Sequence, residues 1–146
     1  MHIKLKYGNT HTFFIRGMSG NLLVDTDYAG TLPAFYRAIK ECKIKISDIT
    51  YILATHYHPD HIGLVSELMN QGVKLLVIDI QYSYIHFADS ISLILDSGEC
   101  FVGDLEPIEY LAAYEQNDRL KYDWELVMHN APKKIYYAHA NEKYCD

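Results

Sequence analysis

The sequence predicts a single α/β domain, because short apolar runs typical of strands alternate along the chain with amphipathic helical stripes. Residues 50–54 form one such run, a helical stripe extends from Ile62 to Met69, and residues 73–78 form the next run. Strand, loop, helix and strand in this order is the unit from which α/β domains are built. A chain of 146 residues is long enough to bury one hydrophobic core. We therefore treat residues 1–146 as one domain.

The first third of the chain predicts three strands and a helix. Residues 3–7 alternate apolar and polar side chains, as a half-buried strand does, and residues 10–16 and 21–26 give two further strands. Residues 31–42 carry an apolar stripe at helical spacing, and Pro33 is tolerated in the first turn of that helix. This stripe predicts a core-facing helix rather than a binding groove.

The second half predicts a hairpin, a long helical stretch and a last strand. Residues 90–95 and 100–102 are predicted to form the two strands of the hairpin. Residues 106–131 are tyrosine-rich and predicted helical, with one apolar face. Residues 134–138 are the last predicted strand, and His139 stands at its end.

Composition narrows the class of protein. Hydrophobic residues make up 49% of the chain and charged residues 22%, which is typical of a globular domain. No run approaches the roughly 18 apolar residues of a membrane span, and the N-terminus lacks the features of a signal peptide. The net charge of −6 and the absence of a basic patch disfavour nucleic acid as a partner. The 13 tyrosines would suit a homo-oligomer interface.

The cysteines predict a reducing compartment. Cys42, Cys100 and Cys145 are odd in number and far apart, which is not a disulfide framework. Together with the missing signal peptide, they predict a cytoplasmic protein.

Residues 55–63, Thr-His-Tyr-His-Pro-Asp-His-Ile-Gly, are the chemically distinctive stretch. His56 and His58 lie two apart and share a face of an extended segment, and Asp60 and His61 reach the same region as the backbone turns. The motif follows an apolar strand, and the carboxyl ends of strands are where ligand sites collect in open α/β sheets. Imidazoles mixed with a carboxylate favour a catalytic metal over a closed structural one. The alternative is a polar loop whose histidines only cap a helix.

The pattern T-H-x-H-x-D-H-x-G resembles the signature of the metallo-β-lactamase-fold hydrolase superfamily. The resemblance implies an αββα sandwich of two mixed sheets flanked by helices, here in a shortened form. Three further stretches resemble the later motifs of that family in the same order: His86 before Ser90-Ile91-Ser92, Gly103-Asp104 at a strand end, and His139 after the terminal strand. The alternative for His86 is an exposed histidine on a short helical turn over residues 81–85.

The resemblance also implies a two-metal centre. His56, His58 and His86 would hold one ion. Asp60, His61 and His139 would hold the other, and Asp104 would bridge the two. Asp60 is in addition the candidate catalytic residue. Zinc is the first expectation for both divalent ions, and iron or manganese remain open because ligand type alone does not select among them.

Asp25 ends the apolar run Leu-Leu-Val-Asp-Thr, where the family often continues with glycine and this chain has Asp27. Asp25 is expected either to hold the loop of the histidine motif in place near the metal site or simply to form the turn.

The function expected from the resemblance is hydrolysis of a small ester, thioester, lactone or phosphodiester by a hydroxide that the two metal ions activate. One alternative is a metal-binding member that is catalytically inactive or works only as an oligomer. Its basis is the short interval of residues 62–85 between His61 and His86, which leaves little chain for a substrate pocket. Another alternative is a redox domain with a di-iron centre, disfavoured because these residues contain no flavin-binding partner domain.

Overall fold

The computed structural model describes residues 1–77, 91–114 and 116–145. The described residues form two compact units: residues 1–77 belong to the first, and those from residue 91 onward to the second.

The first unit is built on a five-stranded mixed sheet in which the strand order follows the chain, β1-β2-β3-β4-β5. The strands are β1 His2–Leu5, β2 Thr12–Ile15, β3 Leu22–Val24, β4 Tyr51–Leu53 and β5 Lys74–Leu76. The first three pair antiparallel, as a meander, whereas β3, β4 and β5 pair parallel. Parallel neighbours need a crossover connection, and the helices of this unit supply it.

Those helices are α1 Leu32–Glu41, α2 Pro59–Ile62 and α3 Val65–Met69, with a 3₁₀ turn at Ile46–Asp48. Helix α1 lies between β3 and β4 in the chain, and α2 and α3 lie between β4 and β5. The apolar stripe of α1 is buried, as its spacing predicts, and Phe35 is fully inaccessible. It joins Phe14, Leu23 and Ile52 of the sheet in one core.

The second unit has a four-stranded mixed sheet in the order β6-β7-β8-β9. Its strands are β6 Leu93–Ile94, β7 Glu99–Phe101, β8 Lys134–Tyr136 and β9 Lys143–Tyr144. β7 and β8 are parallel, and the two outer pairs are antiparallel. A 3₁₀ helix, Ile108–Tyr114, and the helix α4, Asp118–His129, connect β7 to β8. Trp124 of α4 packs with Cys100 and Ile135 of the sheet in a separate core.

The predicted α/β class is confirmed, with differences in element bounds. The strands are shorter than their apolar runs, and β9 is a strand that the sequence did not indicate. The long helical stretch over residues 106–131 is interrupted, because Asn117 starts a new helix: its side chain accepts the Leu120 N–H at 3.0 Å. Within the described residues, no helix combines the length and apolar character that crossing a membrane would require.

Candidate metal centre

The histidine motif lies in the loop after β4, where the sheet places a second polar segment beside it. β3 and β4 are parallel neighbours, so their carboxyl ends meet at the same edge of the sheet. The Asp25 N–H, just past β3, donates to the Leu53 carbonyl at 2.9 Å and extends this pairing. Pro59 then starts α2 within the motif itself, with His58 as the extended residue before it. This turn brings the end of the motif back toward its beginning.

Four of the predicted ligand side chains come together in this loop. The ring centroids of His56 and His58 are 4.4 Å apart, and those of His56 and His61 are 4.0 Å apart. His61 Nε2 lies 3.7 Å from Asp60 Oδ2. His61 is fully buried and His56 is 7% exposed, whereas Asp60 is partly buried and His58 is exposed, so the cluster extends from the interior to the surface. Three imidazoles and a carboxylate at this spacing suit a borderline divalent ion such as zinc or iron.

A buried carboxylate, Asp25, lies behind His61. Its Oδ2 is 3.0 Å from His61 Nδ1, and the two oxygens also accept the Thr55 N–H at 2.7 Å and the Thr55 hydroxyl at 2.9 and 3.1 Å. A carboxylate at Nδ1 favours the tautomer with its proton there, which leaves Nε2 as the metal-binding nitrogen. Metal-bound histidines ordinarily have such a partner on the other ring nitrogen. Asp25 therefore contacts a predicted ligand as well as forming the turn, in which its φ is +56°.

Asp27 is a second buried acid, and residue patterning alone indicates no functional role for it. One carboxylate oxygen accepts the Thr10 N–H at 2.9 Å and the other accepts the Tyr28 N–H at 2.7 Å. The Thr10 hydroxyl in turn lies 3.5 Å from Asp60 Oδ2, which is a long hydrogen bond. Asp27 thus fixes the backbone that carries a donor to Asp60. The only signal for this role in the sequence is the departure from the family's usual glycine at this position.

Two glycines make room for this acid-rich turn. A Cβ on Gly8 would lie 1.9 Å from Asp27 Oδ2. A Cβ on Gly63, the last residue of the motif, would lie 2.2 Å from the Ala29 amide nitrogen and 2.3 Å from the Asp27 carbonyl oxygen. The glycine of the T-H-x-H-x-D-H-x-G pattern is thus a packing requirement of the turn after β3.

Tyr7 is a partly buried phenol close to this turn. Its hydroxyl is 2.9 Å from the Thr12 hydroxyl. Burial raises the pKa of the Tyr7 phenol well above its usual range, and the nearby negative charges of Asp27 and Asp25 raise it further. Tyr7 is therefore a neutral hydrogen-bonding group near Asp25 and Asp27.

In the second unit, a carboxylate and an imidazole meet at the corresponding ends of two parallel strands. Asp104 follows β7 after Gly103, whose φ is +58°, and His139 follows β8. The Ala138 N–H donates to the Gly103 carbonyl at 3.0 Å, so the pairing continues past the strand ends. His139 Nε2 lies 3.2 Å from Asp104 Oδ1. These two residues are 35 positions apart in the chain, and the parallel pairing of β7 with β8 brings them together.

The structure thus assembles six of the seven predicted ligands into two groups, each within its own unit. The seventh, His86, lies outside the described residues, as does its proposed helical-turn alternative. The assignment of individual side chains to two ions stays a prediction.

Comparisons with known proteins identify the family of this chain. The model of the metallo-beta-lactamase superfamily matches residues 5–89, which is more than half of the chain and includes the whole histidine motif. No curated protein matches the chain.

Several solved structures share the fold over nearly the whole of this chain. The chemotaxis sensor ODP, described as a peroxy diiron species, is 15% identical, with a TM-score of 0.69 over 98% of this chain and 84% of that one. A metallo-beta-lactamase family protein from Thermus thermophilus is 15% identical, with a TM-score of 0.69 over 97% of this chain and 72% of that one. The metallo-beta-lactamase FIM-1 from Pseudomonas aeruginosa, solved in a mono-zinc form, is 19% identical, with a TM-score of 0.66 over 96% of this chain and 83% of that one.

These structures confirm the predicted fold class, two mixed sheets flanked by helices. The matched motif and the shared fold together show that the chain belongs to the metallo-beta-lactamase superfamily.

Proposed function

We propose that this protein is a metal-dependent hydrolase. The observation that carries the proposal is the cluster of His56, His58, Asp60 and His61, in which His56 and His61 are buried and Asp25 contacts His61. Buried imidazoles and carboxylates are costly to maintain unless they are paired or bind an ion. A cluster with this donor set at the carboxyl end of a parallel strand is suited to hold a catalytic metal.

The ligand assignment that we propose follows the family motifs. His56, His58 and His86 would hold one divalent ion. Asp60, His61 and His139 would hold the other, and Asp104 would contribute to both. The close approach of Asp104 to His139 supports their pairing in this assignment, and zinc is the first choice of metal.

Two divalent ions bound there would supply a water-derived nucleophile at neutral pH and an electrophilic contact for the substrate oxygen. The residues of the chain do the rest. Asp25 keeps the His61 ring in one orientation, and the Thr10 hydroxyl is placed to hold Asp60 Oδ2. We assign to the Asp60 carboxylate the acceptance of the proton released by the attacking water. The substrates proposed are small esters, thioesters, lactones or phosphodiesters.

Metal analysis and a hydrolase screen test this proposal together. The purified protein is expected to contain close to two divalent ions per chain. His58→Ala should lower the metal content and abolish hydrolysis, as should a chelator. His129→Ala is the matched control, because His129 is an exposed residue at the end of α4. A protein that binds no metal at any stoichiometry would exclude the hydrolase.

A di-iron redox domain is the second candidate. The likeness to the chemotaxis sensor ODP over 98% of this chain supports it, because that protein is described with a diiron species. Iron in place of zinc, a visible absorption band that changes with oxygen, and inactivity toward every ester class would favour this candidate. A zinc-loaded protein that hydrolyses no substrate in the same screen would instead indicate a catalytically inactive member of the family.

A further inference from the structure

The sheet of the first unit has a second edge, opposite the loop that carries the histidine motif. β3, β4 and β5 are parallel, so their amino ends lie together at this edge, as their carboxyl ends do at the other. The Thr50 N–H donates to the Asn21 carbonyl at 3.0 Å, and the Lys74 N–H in turn donates to the Thr50 carbonyl at 3.0 Å. These bonds join the loop before β3, the turn before β4 and the start of β5 into one surface.

Positive charge is concentrated at this edge. Five exposed cationic side chains lie in the segments that meet there, and we call them the basic edge: Arg16, Lys40, Lys43, Lys45 and Lys74. Among the residues that the structure describes, none of the five has an ion-pair partner. The same segments, residues 16–21, 40–50 and 72–74, contain two carboxylates, Glu41 and Asp48, whereas the whole chain has a net charge of −6. The fold thus collects cations that residue order does not present as one continuous run.

An apolar side chain stands among these cations. Met18 lies in the middle of the loop between β2 and β3 and is fully exposed. At the start of that loop, the Arg16 guanidinium lies 5.6 Å from the centroid of the Phe14 ring. At its end, the Asn21 side-chain amide donates to the Asp48 carbonyl at 2.8 Å, which fixes the loop against the 3₁₀ turn before β4. The methionine is therefore held at the surface by a loop that is anchored on both sides.

This combination matches the chemistry of an anionic bilayer. Negatively charged headgroups attract lysine and arginine side chains near the lipid surface. An apolar side chain at the same level gains by leaving water for the boundary of the acyl chains. Four of the five cations are lysines, which bind phosphate as point charges without the planar fork of arginine. Duplex nucleic acid offers the same negative charge, but it has no apolar layer to receive Met18.

We propose that the basic edge docks the first unit on an anionic lipid surface, with Met18 inserted at the level of the headgroups. The inference goes beyond the hydrolase proposal and does not depend on it. Because the histidine motif lies at the opposite edge of the sheet, docking would leave the metal loop of this unit facing the aqueous side. A protein bound in this way would act on water-soluble substrates next to a membrane.

Cosedimentation of the purified chain with lipid vesicles tests the docking. Phosphatidylcholine vesicles that contain about 30% phosphatidylserine are compared with vesicles of phosphatidylcholine alone. The chain is expected to bind the anionic vesicles at least about tenfold more tightly than the neutral ones at low ionic strength. Binding should be largely lost at about 0.5 M salt, because screening shortens the range of the attraction.

Charge reversal tests the residues. Each basic side chain near an anionic surface contributes about 1 kcal/mol, which is about fivefold in binding, so Lys43→Glu/Lys45→Glu should weaken binding at least about 25-fold. Lys6→Glu/Lys133→Glu is the matched control, because it makes the same change in net charge at two exposed lysines outside the basic edge. Lys6 lies beyond the carboxyl end of β1, and Lys133 belongs to the second unit. Binding of this control should change less than about threefold.

A reporter at the proposed contact gives a measurement that does not require charge reversal. Met18→Trp places an indole in the exposed loop, and indoles favour the lipid–water boundary. The native tryptophan, Trp124, is 1% exposed and supplies a constant background. Emission of the variant should shift to shorter wavelength with anionic vesicles and stay unchanged with neutral ones. Met128→Trp, at an exposed position of α4 in the second unit, is the control and should show no shift.

The outcomes decide the proposal without reference to hydrolysis. Salt-sensitive binding to anionic vesicles that requires Lys43 and Lys45, with an emission shift in Met18→Trp, would support it. No vesicle binding, equal binding to both kinds of vesicle, wild-type binding by Lys43→Glu/Lys45→Glu, or an unshifted Met18→Trp emission would overturn it. Tighter binding to a short DNA or RNA duplex than to anionic vesicles, lost in the same charge-reversal variant, would instead assign the basic edge to nucleic acid.

Discussion

Replacement of Asp25 by asparagine tests whether the buried acid behind His61 orients a metal ligand. Asp25 has a φ of +56°, a conformation that asparagine adopts more readily than most residues, so Asp25→Asn preserves the backbone. The variant keeps one oxygen that can accept the Thr55 N–H. It replaces the other with an NH₂ group, which is a donor, 3.0 Å from His61 Nδ1. The Nδ1–H tautomer of His61 then loses its carboxylate acceptor.

The expected magnitudes follow from that one lost contact. A hydrogen bond to a charged group contributes about 1.5–3 kcal/mol, so the free energy of unfolding should fall by that amount. Loss of a supporting partner typically weakens metal binding by about 10- to 100-fold, which corresponds to about 1.4–2.7 kcal/mol. The mechanism is a shift of the His61 proton toward Nε2, the nitrogen that must bind the ion.

Two measurements check this reasoning. Urea unfolding of the metal-free protein gives the stability change, and competition with a chromophoric chelator gives the change in metal affinity. Asp48→Asn is the control for lost charge: Asp48 accepts the Lys45 N–H at 2.8 Å in an exposed turn, and its loss should cost less than about 1 kcal/mol without altering metal affinity. Wild-type metal affinity in Asp25→Asn would refute the orienting role of Asp25.

Three further predictions concern the same turn and the second core. Thr10→Val removes the donor to Asp60 and should weaken binding of the more weakly held metal ion about 10-fold, whereas Thr10→Ser should restore it. Isothermal titration measures these affinities. Equal affinities in the wild type and both variants would show that Thr10 has no such role. Gly63→Ala inserts a Cβ against the backbone of residues 27–29 and should lower the free energy of unfolding by about 2 kcal/mol or more. Urea unfolding measures this change, and unchanged stability would contradict the close packing at Gly63. Burial raises the pKa of the Cys100 thiol to about 12, whereas the unfolded chain loses this proton at about pH 8.5. Between these two pH values the folded state binds more protons than the unfolded state. The free energy of unfolding should therefore fall as the pH rises through this range, by up to about 1.4 kcal/mol per pH unit. Cys100→Ala should flatten that slope in urea titrations at pH 8 and pH 10, and an identical slope would show that other groups cause it.

The sequence predicted the local half of the candidate site well. His56, His58, Asp60 and His61 lie within six residues, so a single strand end and the first turn of α2 suffice to bring them together. Their proximity depends on short-range chain geometry, which residue spacing encodes directly. The apolar runs likewise located most of the strands, because burial on a sheet leaves a pattern in the order of side chains.

Element bounds were less predictable, for a reason visible in the second unit. The apolar stripe across residues 106–131 is compatible with one long helix. The chain instead forms a 3₁₀ helix and then α4, because the Asn117 side chain caps a new helix start and the Trp124 indole bonds back to the Glu106 carbonyl. A side chain that bonds to the backbone 18 residues away leaves no signal in local periodicity.

The sequence by itself determined the histidine motif and the α/β class, since both depend on residues that are close together in the chain. Only the tertiary structure decided that Asp25 contacts His61, that Asp27 fixes Thr10, and that Asp104 meets His139. Each of these contacts joins distant segments, and most of them form where neighbouring parallel strands end. The physical reason is register: pairing of two strands sets which side chains face each other at their ends, and that choice depends on the packing of the whole sheet.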